Sequence, residues 1–574
     1  MHQGYSPTEA TWKKRRPTPT PEVHARLSYI YTSQQDAEQQ QQQQEERPET
    51  AAGDVISHVL GDFGIWQLRS VLIIFLCKLP AAWFMALIIF TAPELYPNEE
   101  YWCDTSAYGG AGNTTVSDDQ CYVLVAHGEA NYAMRQCLQF NYAHAFRSLI
   151  MEFDLVCLSD IFVAWSQYWH LFGMFVGGVV ATRLMRVLSP RRVYIVGIWG
   201  LLCCGMATGL VNDFSLHCSF RCLSGACCCF MMTAGQAIFC DITAGKCRQG
   251  VLLLYDASWS VGVLLLPAIA AFTQSWRQVY VGITSLPLVI VLLLPWLPES
   301  PRWLLQRADP TAAVEQVQQL LQQAARTNER CSRLPDDLSL QLELLGERLR
   351  SQPPAARWLE LWHGHPRAKL HMLATHMALA TFLISHLGLL LNVRSFGRDY
   401  VTPNTMLAGL AEILGCLLAV HLCRSHNVHK WQWAGGFCIV GGCVGCLCWL
   451  LNDVKMPELY EKMLWMCLTV LPKAGVSCAQ AMLTACMDES LPAEKRAPFA
   501  FSVLTWARVW LLSASFLTLL KQLNVALSLS VFCVLVVLGG LCTCCLRTPR
   551  ARGKRAEQEQ QLQQKEADCY NTHL

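Results

Sequence analysis

The stretch Trp296-Leu297-Pro298-Glu299-Ser300-Pro301-Arg302-Trp303-Leu304 decides how this chain is read. It closes a long apolar run and opens a polar, helix-prone segment that reaches about Lys369, beyond which apolar runs resume. Pro298 and Pro301 stop the preceding helix, because neither donates a backbone hydrogen bond and each restricts the residue before it. Arg302 and Trp303 fall where a membrane–water boundary is expected, an indole at headgroup depth beside a basic residue. A soluble protein uses Pro-Glu-Ser-Pro as an ordinary turn. Here it follows roughly 20 apolar residues, the length that crosses a bilayer.

Outward from that stretch the same pattern recurs. The 574 residues are 53% hydrophobic and 15% charged, with the charges gathered between apolar blocks. Twelve spans are expected, starting near Val71, Ile161, Val193, Cys218, Val251, Gln278, Leu370, Asn404, Trp433, Met463, Ala497 and Leu523. Lys and Arg in the intervening segments alternate in abundance, and an inside N-terminus puts them inside by roughly four to one, as the positive-inside rule requires. Both termini are therefore expected in the cytoplasm of a multi-pass protein whose main partner is the lipid bilayer. The net charge of +2 singles out no nucleic acid or other polyanionic partner.

Residues 1–53 are polar, Pro-rich and Gln-rich, with a basic cluster Lys13 to Arg16 and no apolar core after it. They read as a disordered cytoplasmic tail rather than a signal peptide. An N-terminal bundle follows over 54–297, interrupted by a long outside loop over 92–160. A cytoplasmic linker with short helices over 298–369, a second bundle over 370–546 and a tail over 547–574 complete the order. The loop carries Asn113-Thr114-Thr115, a glycosylation acceptor, together with Cys103, Cys121, Cys137 and Cys157. Oxidising surroundings and an even count favour two disulfides among three possible pairings. Most of the other cysteines lie in apolar runs and read as small packing residues. The terminal Thr572-His573-Leu574 is a candidate for a PDZ-type partner.

The halves repeat. Asp241 is followed seven residues later by Arg248 after the fourth span, and Glu489 by Arg496 after the tenth; each pair precedes an apolar helix with a tryptophan, Trp259 or Trp506.

With these residues placed, the chain resembles the organic cation, carnitine and organic anion transporter family of the major facilitator superfamily, from about Asp54 to Leu546. The resemblance rests on Gly61-Asp62-Phe63-Gly64, Tyr101-Trp102-Cys103 and the run Glu152 to Cys157. It continues through the run Phe220 to Gly225, Trp276-Arg277 and Pro298 to Leu304. It implies an all-α membrane protein of twelve transmembrane helices in two pseudo-symmetric six-helix bundles, working by alternating access at the plasma membrane. Two departures stand out. The loop after the second helix keeps Arg191 and Arg192 but lacks the family's acid, with Pro190 where a glycine belongs, and Ser385-His386 replaces paired tyrosines. The loss of that acid is expected to weaken the gate formed by Asp241, Arg248, Glu489, Arg496, Arg191, Arg192, Glu299 and Arg302.

An ionisable side chain at membrane depth costs a few kcal/mol and is a functional candidate by default. Lys78, Arg221, Asp256, Glu412, Lys473 and Arg508 qualify. Arg508 stands deepest, near the middle of its helix, where its head reaches neither interface. Its guanidinium fork fits a carboxylate or sulfate. Glu412 and Lys473 would add an acid for an ammonium and a second base, with Trp259, Trp506 and His386 completing a substrate site. A small organic zwitterion or anion is thus favoured over a simple cation. The competing reading is a transport-inactive receptor or scaffold working through the outside loop. No metal-ligand spacing, nucleophile elbow or phosphate loop sits where chemistry needs it, so no enzyme, metal or cofactor is expected.

Overall fold

Apolar side chains turn outward along the long helices: Leu223, Val440, Leu450 and Leu541 are each half exposed or more. In water that surface is unfavourable; in hydrocarbon it is the stable arrangement, and helices satisfy their own backbone groups there. The computed structural model describes residues 55–546 apart from 62, 109–113, 127–131, 144–145, 158, 244, 308, 352–359, 363–365, 397, 426–428, 453, 488–490 and 492. The expected tails, Asn113, Glu489 and the C-terminal PDZ motif therefore lie outside the described residues.

Twelve long helices are present, each on an expected span. The first half holds α1 (Ile65–Thr91), α2 (Ser159–Leu184), α3 (Pro190–Leu210), α4 (Phe214–Ile242), α5 (Gly245–Ala271) and α6 (Trp276–Leu293). The second holds α7 (Pro366–Leu391), α8 (Arg398–Arg424), α9 (Lys430–Gly445), α10 (Glu458–Cys486), α11 (Ala493–Leu511) and α12 (Val525–Cys544). Eleven are long and apolar enough to cross a membrane by composition alone. The exception is α2. Its 26 residues suffice in length, but Ser166, Gln167 and His170 dilute its apolar character, and all three are buried. The packing repeats: α2 lies on α4, and α3 on α4 and α6, as α8 lies on α10, and α9 on α10 and α12. The first helix of each half is the most enclosed, α1 by 72% and α7 by 83% of its central window, which puts both on the inside of the assembly.

Pro298 to Leu304 fasten the linker face. Ser300 caps the short helix Pro301–Leu305 and donates its hydroxyl hydrogen to Asp241 at the end of α4. Arg302 pairs with Asp241 at 3.2 Å, and Trp303 Nε1 donates to Met185 O beyond α2. Glu299 accepts from Ser189, whose hydroxyl also caps α3. One short stretch thus ties three helix ends together.

The linker continues as Pro310–Thr327 and Leu338–Ser351. Asn328 reaches back to α1: its Oδ1 accepts from Trp66 N at 2.9 Å and its Nδ2 donates to Gln67 Oε1 at 2.7 Å. A helix start leaves such N–H groups without partners, and here the cap comes from 262 residues away. A Cβ at Gly64 would overlap the Asn328 amide, and Gly61 has φ +60, so these two glycines give the dock its backbone seat.

The long loop folds as two small antiparallel sheets. β1 (Tyr101–Cys103) pairs β5 (Phe140–Tyr142), and β2 (Thr114–Val116), β3 (Tyr122–Ala126) and β4 (Tyr132–Gln136) form the second. Cys103 and Cys137 form one sulfur pair, Cys121 and Cys157 the other. Glu152 moors the loop, bonding Arg147 at 2.7 Å and Arg277 at 2.9 Å, while Arg277 also donates to the carbonyls of Gly209 and Val211.

A helix cap contributes about 0.5–2 kcal/mol. Asn328→Ala should lower the unfolding midpoint of the purified protein correspondingly and speed protease cutting between Pro301 and Ser351, whereas Glu315→Ala on the exposed side of the same helix should do neither.

Candidate functional site

A cavity of about 160 Å³ lies between the halves. Its walls come from α1, α2, α4 and α5 and from α7, α8, α10 and α11, the same four ordinals in each half. The offset that carries Asp241 to Glu489 also carries Met232 to Gln480, Gln236 to Thr484, Asp256 to Leu504 and Ser260 to Arg508, and all eight of these line the cavity. The repeat therefore builds the site, and its polar members differ between halves.

Three charged side chains face this space. Lys78 Nζ of α1 meets Asp256 Oδ1 of α5 at 3.0 Å and lies over the Tyr255 ring at 4.1 Å. Asp256 Oδ2 accepts from the Thr484 hydroxyl of α10 at 2.9 Å, joining the halves. Both charges are neutralised in place. Arg508 is the third. Its guanidinium sits against Gly178 of α2, where a Cβ would overlap Nη1, and no carboxylate pairs with it among the described residues. The cavity is left with one uncompensated positive charge.

Glu412 and Lys473 stand behind the wall rather than in it. Lys473 Nζ lies 2.9 Å from Glu412 Oε1 and donates to His386 O at 2.8 Å, with both side chains almost wholly enclosed. Glu412 thus pairs with Lys473, and neither lines the cavity in which both were expected to join Arg508. Pro472 interrupts the backbone ladder of α10 directly before Lys473. His386 does line the cavity, its Nε2 3.4 Å from Glu412 Oε1. Trp259 lines it too, its ring 6.4 Å from that of His386. Trp506 points away: it is 41% exposed and packs edge-on against Trp510 on the outer surface.

Arg221 is fully buried and lies outside the cavity. Its three nitrogens donate to Ser166 O at 3.2 Å, Tyr280 Oη at 2.7 Å and Gln167 Oε1 at 2.7 Å, which accounts for the buried Gln167 of α2, and its carbonyl lies 3.2 Å from His170 Nδ1. Neutral acceptors satisfy the fork, so its role is to brace α2, α4 and α6.

The expected gate residues gather in part. Asp241, Glu299 and Arg302 meet as described above, and Arg191 donates to Leu294 O at 3.2 Å. Arg248 and Arg496 are exposed at their helix starts; Asp241 engages Arg302 and Ser300 instead of Arg248, and Arg496 Nε donates to Leu491 O. The two faces differ. On the loop face Gly409 of α8 packs on the backbone of Leu264 of α5, and Lys521 pairs with Glu94. On the linker face a second cavity of about 390 Å³ lies between the same two helices, lined by Gln249, Leu253, Val420, Cys423 and Arg424 among others, with Gln249 Nε2 donating to Cys486 Sγ of α10.

Sequence reading missed Gln236, Tyr255, Gln480 and Thr484 in the lining and the pairing of Lys78 with Asp256. The repeat offset was the available signal for Gln236 and Thr484.

A twelve-helix, two-bundle membrane protein with a charged cavity shared by both bundles defines a class of carrier, not of enzyme. A sequence model of the Major Facilitator Superfamily matches residues 130–518, and the chain belongs to that superfamily. Its relatives include solute carrier family 22 member 3 of Rattus norvegicus, 30% identical over 223 residues, which are 37% of this chain and 38% of that protein. Solute carrier family 22 member 13 of Homo sapiens is 23% identical over 410 residues, covering 71% of this chain and 70% of that one. This chain is a divergent member beside them, and the match to the rat relative spans well under half of that protein's length. The xylose transporter XylE from E. coli, in a partially occluded inward open conformation, shares the fold at a TM-score of 0.56 with 13% identity, covering 83% of this chain and 96% of that one.

Removing one partner of a buried ion pair costs about 3–5 kcal/mol, while replacing both is near neutral. Lys473→Met alone should therefore unfold at markedly lower temperature, and Lys473→Met with Glu412→Gln should recover most of the loss.

Proposed function

We propose that this protein carries small organic anions across the plasma membrane by alternating access, with both termini in the cytoplasm. The observation that carries the reading is Arg508: a guanidinium open to the cavity with no carboxylate beside it among the described residues, while Lys78 and Asp256 neutralise each other. The solute's carboxylate or sulfonate takes the fork of Arg508. Met85, Leu171, Met174, Met232 and Leu504 receive its apolar body, and Trp259, Gln236 and Gln480 set its orientation. Because Glu412 is held by Lys473, the anion is preferred here over the zwitterion.

Closed packing of α5 on α8 at the loop face, and the cavity between them at the linker face, suit a carrier caught opening toward the cytoplasm. Asp241, Glu299, Arg302, Arg191 and Ser189 form the latch that holds the first half's cytoplasmic helix ends as one body during rocking. Arg192 and Arg248 are its proposed outer members, and Glu489 and Arg496 are the proposed counterparts of Asp241 and Arg248 in the second half. In an oxidising exterior the sulfur pairs of the loop are disulfides, and Asn113 carries a glycan.

Uptake by proteoliposomes tests the reading, with tracer benzenesulfonate as a permanently charged anion. Hydrogen bonds to a charged group contribute about 1.5–3 kcal/mol each, so Arg508→Gln should weaken half-saturating concentration at least tenfold. Tetraethylammonium should not accumulate in wild type. Equal benzenesulfonate uptake by wild type and Arg508→Gln, or tetraethylammonium uptake in its place, overturns the proposal.

A further inference from the structure

The cluster behind the cavity wall has a function that ion pairing alone does not explain. Glu412 of α8 and Lys473 of α10 already neutralise each other at 2.9 Å, yet a third titratable group, His386 of α7, is set against the carboxylate and also faces the cavity. Glu412 Oε1 lies 3.4 Å from Nε2, and a carboxylate on that side favours the tautomer with its hydrogen on Nε2. Nδ1 then keeps its lone pair. It is buried, and no donor reaches it among the described residues. Of the two ring nitrogens, Nδ1 is the one whose lone pair is open to a proton.

We infer that His386 is a proton-binding site and that the protein moves one proton with each monovalent organic anion. The inference rests on the anion reading of Arg508. A proton from the acidic side forms the Nδ1–H bond; the ring becomes imidazolium beside Glu412, and the cluster passes from neutral to a single positive charge. The anion meanwhile pairs with Arg508. On the opposite face the anion leaves, the Nδ1–H bond breaks and His386 returns to neutral, so the cycle moves no net charge.

Linkage couples the two events. With the cavity empty, Arg508 of α11 and the added proton repel, since both charges face one low-dielectric space. An anion on Arg508 cancels that repulsion and raises the proton's affinity; the proton must raise the anion's affinity by the same factor. The other groups around His386 set the background. Lys78 of α1 and Asp256 of α5 form a neutral pair, Trp259 of α5 meets the ring edge-on, Cys416 of α8 contributes a thiol, and α12 contributes no Asp, Glu, Lys, Arg or His. Glu412 of α8 lies nearest the ring, at 3.4 Å from Nε2, and Lys473 of α10 donates to the His386 carbonyl.

Proteoliposomes of the full chain, loaded with pyranine and with the membrane potential clamped by potassium and valinomycin, test this directly. Benzenesulfonate is used because it does not cross lipid as a neutral acid. With the lumen one pH unit more alkaline, an electroneutral one-to-one symport reaches about tenfold accumulation, since one pH unit is a tenfold ratio in proton activity. Adding the anion outside without a gradient should acidify the lumen by one proton per anion. In His386→Gln the proton count per anion should fall to zero whatever the rate. If that variant does not fold, Lys473→Met with Glu412→Gln, which keeps the imidazole but removes its carboxylate, should move the pH midpoint of proton uptake downward. Wild-type flux without pH-driven accumulation, or unchanged proton counts in His386→Gln, overturns the proton site and leaves the anion carrier standing. No flux of benzenesulfonate in wild type removes both.

Discussion

A charge inside hydrocarbon is tolerated only with a partner, and that constraint arranges this molecule. Moving an ion out of water costs several kcal/mol even after relaxation, and the cost is recovered only by close opposite charge or by a full set of hydrogen bonds. Lys78 has Asp256, Lys473 has Glu412, and Arg221 has the oxygens of Ser166, Gln167 and Tyr280. Arg508 has none among the described residues, and it faces the same cavity as the mutually neutralised Lys78 and Asp256. A structural arginine would have been paired by the fold. An arginine kept for a visitor is left for the visitor to pair.

In the proposed cycle, the rest of the architecture keeps that space between two bodies that rock. Pro298 to Leu304 tie the ends of α2, α3 and α4 together, and Asn328 ties the linker to the start of α1, which suits a first half that moves as a unit in the proposed cycle. Glu152 and Arg277 fix the outside loop to the same half, with Arg277 also gripping the end of α3. Among the described residues, hydrogen bonds between the halves include those from Gln249 to Cys486 and from Thr484 to Asp256. The Asp256–Thr484 hydrogen bond joins a charged pair of one half to a hydroxyl of the other inside the cavity itself. A solute that competes for Asp256 or Lys78 would loosen the link it must loosen to be carried through.

Much of this was legible in the sequence because lipid imposes length and loop charge, which composition records directly. All twelve spans were found, and the quoted motifs fall where helix ends meet: Gly61 to Gly64 at the linker dock, Glu152 and Arg277 at the loop mooring. Orientation was not legible. In a soluble helix the apolar period marks the buried face, but a membrane helix is apolar on both sides, so Trp506 could not be told from Trp259. The pairings were hidden as well: Lys78 meets Asp256 across 178 positions, and Glu412 chooses Lys473 over Arg508 through packing that no local pattern encodes. The half-to-half offset alone encoded lateral position, and it reached only the lining of α4, α5, α10 and α11.

Ligand-dependent unfolding of the purified protein in detergent tests the central claim most directly, because it reads occupancy of the cavity without requiring transport. Benzenesulfonate should raise the unfolding midpoint of wild type in a saturable manner and leave Arg508→Gln unmoved, while tetraethylammonium at equal concentration should do nothing to either. Stabilisation by the cation, or equal stabilisation of Arg508→Gln by the anion, would contradict the assignment of Arg508 as the solute's counter-charge.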